Sequence, residues 1–191
     1  MEKQDLKTGI VVIGGSAGSL QVILAMLKNL SNDLHFPILL VLHRKAQAAS
    51  ILPKLLQQFS KIDVIEIEDK TEIKENTIYI VPSDYHLLFE NENTVSLDGS
   101  EKMNYSRPSI DVTFRSASEV FGESTVGVLL SGANADGVEG LKYIKKNGGK
   151  VWIQDPESAD VDYMPKQAVK NVSYDLIFLP ENLAENINEL K

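Results

Sequence analysis

The chain has 191 residues, of which 43% are hydrophobic and 24% charged, a balance typical of a folded globular protein rather than a disordered one. It has no cysteine, which excludes disulfides, thiolate nucleophiles and cysteine-bound metals, and only three histidines. The formal net charge of -8 argues against a general nucleic-acid-binding protein, because phosphate contacts need a basic face.

Membrane and export signals are missing from the sequence as well. No apolar run approaches the roughly 18 residues of a membrane span. The N-terminus, MEKQD, is charged and is not followed by the apolar core of a signal peptide. We therefore expect one domain over residues 1–191, located in the cytoplasm and without membrane insertion.

The first predicted element is a strand over residues 10–13, which runs into a glycine-rich turn and then a helix over residues 20–30. Gly14 and Gly18 bracket Ser16 in the pattern G-x-S-x-G, which is typical of a sharp turn that exposes a nucleophilic hydroxyl. The free N–H groups at the start of the following helix would favour an anion or an oxyanion near Ser16.

Two other interpretations of this turn are open. A dinucleotide fingerprint, G-x-G-x-x-G, would need glycine in place of Ser16, glycine or alanine in place of Ser19 and an acid after the second strand, where His43 stands. The turn could also serve packing alone, without chemistry. The rest of the chain has to decide between these interpretations.

The next part of the chain alternates strands and helices. A continuous apolar run over residues 37–42 predicts a buried strand of a parallel sheet, and His43 follows it directly. We predict a helix over residues 46–59, with Pro53 in its first turn or at a break. Strands are predicted at residues 62–67 and 77–81. Residues 86–90 and 94–97 flank a short polar turn, which predicts an antiparallel hairpin and hence a mixed sheet.

A polar connection over residues 98–107 has no apolar period, and a long loop of this kind is often functional. A helix over residues 108–121 follows, with Ser109 and Asp111 where caps and first-turn acids belong. A buried strand over residues 124–130 ends in a second glycine-rich loop that carries Asp136. Beyond it we predict a helix to residue 146, strands at 150–153 and 176–179, a short helix from 165 and a last helix from about 181.

This order predicts an α/β fold with three layers, a doubly wound and mostly parallel sheet with an antiparallel hairpin. Ligands of such sheets bind beyond the carboxyl ends of the strands, where Ser16, His43 and Asp136 all fall. Hydroxyl, imidazole and carboxylate are the groups that activate a serine nucleophile. Alternatively, His43 is a strand-end histidine bound to a backbone carbonyl and Asp136 a helix cap. His35 and His86 are interpreted as surface or structural residues. A metal site would need more ligating side chains close together than the sequence offers.

Several blocks of the chain resemble, in order, the catalytic domain of the chemotaxis protein-glutamate methylesterases (CheB-type). The similarity runs from about residue 7 to residue 180. It is carried by residues 10–18 (IVVIGGSAG), 42–43 (LH), 78–82 (IYIVP) with 86–88 (HLL), 107–114 (RPSIDVTF), 127–137 (GVLLSGANADG) and 154–158 (QDPES) with 164–165 (MP).

The resemblance implies a Ser-His-Asp esterase that removes methyl groups from chemoreceptor glutamates and often deamidates receptor glutamines. It implies Ser16 as nucleophile, His43 as base, Asp136 as orienting acid, and the backbone N–H groups of Ala17 and Ala133 as oxyanion donors. The chain departs from the family pattern by having Ala133 and Asn134 in place of Met and Gly, and Arg44 and Lys45 in place of Met and Pro.

No cofactor is implied. The expected partners are the cytoplasmic helices of methylated chemoreceptors and, beside them, a sensor kinase or a methyltransferase. We expect Arg44, Lys45 and Arg107 to form a cationic rim for the substrate. The family commonly carries an N-terminal receiver domain, whereas few residues precede the first strand here, so we expect a stand-alone catalytic domain. The alternative function is a binding or scaffold module in a chemotaxis-like system.

Overall fold

The computed structural model describes residues 6–46 and 51–191, and nine strands and six α-helices are found in this part of the chain. The strands are β1 (Ile10–Gly15), β2 (Ile38–Leu42), β3 (Asp63–Glu66), β4 (Thr77–Ile80), β5 (His86–Asn91), β6 (Thr94–Asp98), β7 (Thr125–Leu129), β8 (Lys150–Gln154) and β9 (Leu176–Phe178). The helices are α1 (Leu20–Asn29), α2 (Leu52–Gln57), α3 (Ile110–Phe121), α4 (Val138–Lys146), α5 (Tyr163–Asn171) and α6 (Leu183–Asn188).

Seven of these strands form one sheet in the order β3-β4-β2-β1-β7-β8-β9, and each neighbouring pair in it is parallel. β1 is therefore the point at which the strand order switches sides: β2 pairs with it on one side and β7 on the other. This confirms the doubly wound α/β fold. In such a sheet the polar loops after β1, β2 and β7 meet at one edge.

The antiparallel hairpin is present but is not part of that sheet, so the expectation of a mixed sheet is wrong. β5 and β6 form a separate sheet of two strands, and an isolated bridge joins Thr94 to Glu72. The hairpin packs on α3 instead: the N–H of Phe89 donates to the Ser116 hydroxyl at 2.8 Å, and the rings of Phe89 and Phe121 meet edge to face. Its apolar face is thus buried by a helix, which removes the need for a strand neighbour.

Helices cover both faces of the sheet and give three layers. Alternate residues of β1 point to opposite faces, so that Val11 and Ile13 pack in one core with α1 and α6, while Ile10 and Val12 pack in the other with α3, α4 and α5. Among the helices of the described residues, none combines the length and the apolar character needed to cross a membrane.

The helix predicted at residues 46–59 is shorter than expected. α2 comprises only Leu52–Gln57, and Pro53 lies in its first turn, where the missing N–H is tolerated. Residues 47–50 of the prediction lie outside the described residues. The remaining predicted helices and strands occur with ends shifted by one to a few residues, as is usual for element boundaries.

Candidate active site

Ser16 and His43 lie at the carboxyl ends of two neighbouring strands in the middle of the sheet. Ser16 follows the last residue of β1 and His43 follows the last residue of β2, and these strands are paired from Val11 with Ile38 to Gly15 with Leu42. The backbone N–H of His43 donates to the carbonyl of Gly15 at 3.1 Å. Both side chains line a cavity of about 250 Å³. The parallel register therefore brings hydroxyl and imidazole to one opening.

Short hydrogen bonds hold the turn that carries Ser16. The N–H of Ser16 donates to the carbonyl of Ser131 beyond β7 at 2.9 Å, and the Ser19 hydroxyl donates to the Ser16 carbonyl at 2.7 Å. Gly18 has φ 81°, and a Cβ there would lie 2.7 Å from the Cβ of Asp160. Glycine is required at this position, because a side chain would be strained and would clash.

His43 is bonded to Asp136. Its Nε2 atom lies 2.7 Å from Oδ2 of Asp136, and the exposed fractions of the two side chains are 12% and 0%. An ionised carboxylate only accepts hydrogen bonds, so we assign the proton of the neutral ring to Nε2. The lone pair of Nδ1 is then the one available to take a proton. Within the described residues no hydrogen bond joins the Ser16 hydroxyl to His43, and such bonds are often loose without substrate.

Asp136 lies at the N-terminus of α3 and is held there by several donors. Oδ2 accepts from the N–H of Ile110 at 2.7 Å, while Oδ1 accepts from the N–H of Asp111 at 3.0 Å and from the hydroxyl of Ser109 at 2.9 Å. Burial alone would raise the pKa of Asp136, but the hydrogen bonds from His43 and from these backbone N–H groups keep it below its ordinary value. A buried carboxylate thus stays charged beside the imidazole.

Two residues contact Asp136 in a way that was not expected from the sequence. The amide nitrogen of Asn104 lies 3.3 Å from Oδ1 of Asp136 and 2.9 Å from Oδ2 of Asp111. Asp111 was expected only as a first-turn acid of a helix, yet its Oδ1 accepts from the N–H groups of Gly137 and Gly140 at the start of α4. The available signals were the aperiodic polar loop at residues 98–107 and the acid placed at the start of α3.

The expected oxyanion donors lie on the loops after β1 and β7. The N–H groups of Ala17 and Ala133 donate to no other residue within 6–46 and 51–191, so both are available to a ligand. The two loops are in close contact beside them: a Cβ on Gly132 would lie 3.0 Å from the Cβ of Ser16. These N–H groups come from neighbouring loops, as an oxyanion hole requires.

The three expected rim cations line a second cavity of about 430 Å³ beside His43. Arg44 also binds Glu66 at 2.5 Å and the Val81 carbonyl at 3.2 Å. Arg107 binds Asp84 at 2.6 Å and two loop carbonyls, and its side chain is 20% exposed. Lys45 is exposed and shows no ion pair with a described residue. Two of the three cations therefore also have structural roles.

The other two histidines form no hydrogen bond with Ser16, His43 or Asp136 within the described residues. His86 is buried, with Nε2 2.8 Å from the Glu101 carbonyl and Nδ1 accepting from the N–H of Ser109 at 3.1 Å. Its hydrogen bonds tie the hairpin to the start of α3. His35 is exposed. In the part of the chain that the structure describes, no three His, Asp or Glu side chains cluster as a metal site would require.

Comparisons with known proteins identify the family of the chain. The family model described as CheB methylesterase matches residues 11–187. A putative protein-glutamate methylesterase/protein-glutamine glutaminase of Leptospira interrogans is 41% identical over 175 residues, which covers 92% of this chain and 91% of that protein. A protein-glutamate methylesterase/protein-glutamine glutaminase of Thermotoga maritima is 33% identical over 95% of this chain and 54% of its own length.

A solved structure is also similar. The crystal structure of the Thermotoga maritima CheB methylesterase catalytic domain has a TM-score of 0.91 and 32% sequence identity, over 96% of this chain and 99% of that one. The Rossmann-like alternative has no support, because the first turn presents a hydroxyl and not a glycine cradle. The chain belongs to the CheB methylesterase family.

Proposed function

We propose that this protein hydrolyses glutamate methyl esters on the cytoplasmic helices of chemoreceptors through a triad of Ser16, His43 and Asp136. The observation that carries the proposal is the 2.7 Å hydrogen bond between His43 Nε2 and Asp136 Oδ2, beside a cavity that Ser16 and His43 both line. A buried ionised acid, an imidazole with a free nitrogen and a serine hydroxyl are the groups that acyl transfer needs.

The reaction follows from this arrangement in two steps. In the first, Ser16 Oγ attacks the ester carbonyl and gives its proton to Nδ1 of His43, and the resulting oxyanion accepts from the N–H groups of Ala17 and Ala133. Collapse of the tetrahedral intermediate breaks the bond to the methoxy oxygen, which leaves as methanol with the proton from His43. Asp136 stays ionised and stabilises the imidazolium in between.

In the second step, water replaces the leaving group. It gives one proton to His43 as it attacks the acyl-enzyme, and collapse returns that proton to Ser16 Oγ and releases the glutamic acid side chain, which loses the second proton of the water to solvent as it ionises. A receptor glutamine would pass through the same acyl-enzyme with ammonia as leaving group, so we propose deamidation as a second reaction of the same residues. Neither reaction needs a metal or a redox cofactor in this scheme.

A comparison of two serine variants tests the proposal. Methanol release from a methylated chemoreceptor fragment should fall by at least ~10³-fold in Ser16→Ala, which leaves only the oxyanion donors and binding. Ser19→Ala is the matched control, because Ser19 lines the same cavity but its hydroxyl binds the Ser16 carbonyl. It should stay within about tenfold of wild type. A Ser16→Ala variant that also stays within about tenfold would contradict the triad.

The alternative function, a scaffold module without chemistry, makes the opposite prediction. It expects wild type and Ser16→Ala to be equally inactive on any ester while both bind the receptor. The ionised Asp136 and the two free N–H groups argue against it, because a docking surface has no use for a charged carboxylate held under a histidine. Hydrolysis of a small generic ester by wild type separates the two functions.

A further inference from the structure

Residues 103–106 form a tight two-residue hairpin turn beside the candidate active site. The N–H of Met103 donates to the carbonyl of Ser106 at 3.1 Å, and the N–H of Ser106 donates to the carbonyl of Met103 at 2.9 Å. The two central residues, Asn104 and Tyr105, have φ 50° and 62°. Both therefore adopt the left-handed conformation of a type I′ turn, which favours the pair Asn-Gly.

Asn104 suits its position in this turn, but Tyr105 does not. Asn is the non-glycine residue that best tolerates left-handed backbone, and its amide bridges Asp111 and Asp136, which fixes the turn against the triad acid. Tyr105 stands where glycine is preferred, and its side chain is 99% exposed. A bulky residue in this conformation is strained, and an exposed ring makes no packing contacts to offset the strain.

Tyr105 lies at a cavity that it shares with the candidate base. Tyr105 and His43 line the same cavity of about 430 Å³. His43 also lines the cavity of Ser16 together with Leu20 and Ile51, and Ile51 is 74% exposed. His43 thus lines two cavities that both include exposed apolar side chains, and the hydrogen bonds of Asn104 anchor the turn that carries Tyr105.

We propose that Tyr105 is a specificity-determining residue, whose ring contacts the apolar surface of the protein segment that carries the ester. This inference rests on the proposed function. A tyrosine supplies a large contact area with only two rotatable side-chain bonds, so little entropy is lost when it is held against a partner. The ester itself is small and neutral, so recognition of a protein substrate requires contacts away from the reacting carbon, and the substrate helix offers side chains one turn away, about 5.4 Å along its axis.

The strain makes a sharp test possible, because stability and recognition should change in opposite senses. Tyr105→Gly removes the ring and relieves the left-handed backbone, so its melting temperature should equal or exceed that of wild type. Its kcat/KM for methanol release from a methylated receptor fragment should fall by ~10-fold or more, as for an aromatic anchor in an interface. On a small substrate, N-acetyl-glutamate γ-methyl ester amide, it should remain within about twofold of wild type.

Two further variants complete the experiment. Tyr105→Phe keeps the ring and should retain most activity on the receptor fragment. Tyr174→Gly is the matched control, because Tyr174 is also exposed but precedes β9, at the opposite edge of the sheet from Ser16. It should not change the ratio of the two rates.

Each other outcome overturns the inference. Equal activity of Tyr105→Gly and wild type on the receptor fragment would show that the ring is not used, and equal losses on both substrates would show that it supports the triad instead. A fall in melting temperature would show a structural role. Wild type that releases no methanol from either substrate would overturn the proposed function and the inference together, whereas an active wild type with an unchanged variant would overturn the inference alone.

Discussion

Asp136 and Asp111 cap each other's helices: Asp136 caps α3, which contains Asp111, and Asp111 caps α4, which begins just after Asp136. The carboxylate of Asp136 accepts from the N–H groups of Ile110 and Asp111 at the start of α3, and the carboxylate of Asp111 accepts from Gly137 and Gly140 at the start of α4. Each acid is stabilised by the positive end of a helix. The position of Asp136 under His43 therefore depends on the packing of α3 against α4.

This arrangement predicts an unusual pH dependence of stability. Burial and then the neighbouring charge of Asp136 raise the pKa of Asp111 from 3.8 to about 6, although the N–H groups of Gly140 and Gly137 oppose the shift. An acid with a raised pKa in the folded state stabilises the fold below its unfolded pKa, and this contribution is lost as the pH rises through the folded pKa. For Asp111 the loss falls between about pH 4 and pH 6.

We expect the substitution Asp111→Asn to be less costly at neutral pH than in acid. The free energy of unfolding of wild type minus that of the variant should fall by on the order of 2 kcal/mol between about pH 4 and pH 7, since one pKa unit corresponds to 1.36 kcal/mol. Urea unfolding at the two pH values measures it. Asp84→Asn is the control, because Arg107 lowers the pKa of Asp84 and the same difference should not fall. A difference independent of pH would contradict the shift at Asp111.

His43→Gln should remove both the activity and its acidic limb. In the proposed mechanism His43 accepts the proton of Ser16, which only a neutral imidazole can do, so the wild-type kcat/KM should decline in acid, and glutamine cannot take over this transfer. The measurement is hydrolysis of a small ester over about pH 5 to 9. The exposed His35 provides the control: His35→Gln should keep the wild-type profile. An unchanged acidic limb in His43→Gln would refute its role as base.

The main features of the fold could be predicted from the sequence, because they depend on local patterns. Apolar runs followed by glycine-rich loops predict parallel strands, and parallel strands bring their carboxyl ends together. The approach of Ser16, His43 and Asp136 to one edge therefore needed only the order of strands. The hairpin at residues 86–98 was predicted in itself, but its partner was not, since the choice between sheet edge and α3 depends on packing.

The surroundings of Asp136 could not be predicted in the same way. A first-turn acid such as Asp111 fits its own helix, and nothing local shows that it also caps α4, 26 residues along the chain. The turn at residues 103–106 could not be predicted for another reason. Tyr105 stands where this type of turn prefers glycine, so the Asn-Gly pair that would indicate the turn is absent. Places where local preference and structure disagree are often functional.

Gly132→Ala should lower kcat clearly while lowering the melting temperature little. A Cβ on Gly132 would lie 2.5 Å from Cε of Met164 and 3.0 Å from Cβ of Ser16. The flexible Met164 can move aside, but the loops of Ser16 and Ala133 would separate by a few tenths of an ångström. We expect kcat to fall by ~10-fold, since small displacements of reacting groups are costly.

Gly99→Ala is the matched control for this prediction. The nearest atom to a Cβ on Gly99 is Cε1 of Tyr85 at 3.9 Å, which is ordinary contact. This variant should have wild-type kcat. If Gly132→Ala also keeps wild-type kcat while its melting temperature falls, the added methyl is accommodated by Met164 alone and the spacing of the two loops is not critical.

The cationic rim is best tested at Lys45, because Arg44 has a structural partner. Reversing Arg44 would place a second carboxylate beside Glu66 and confound recognition with stability. Lys45→Glu should lower kcat/KM on a methylated receptor fragment by several-fold at low salt, since a chain of net charge -8 would lose a steering cation at its site. The loss should shrink at high salt, as screening predicts, and a small neutral ester should be hydrolysed at the wild-type rate.

Lys150→Glu provides the matched control for Lys45→Glu. Lys150 is exposed at the start of β8, at the edge of the sheet opposite Ser16, and its reversal changes the net charge by the same amount. If both variants lose equally on the receptor fragment, the effect is one of total charge and Lys45 has no special place. If Lys45→Glu loses activity equally on the fragment and on the small ester, the Lys45 side chain supports His43, two residues before it. Only a loss confined to the protein substrate, relieved by salt and absent in Lys150→Glu, agrees with a rim that receives the substrate helix.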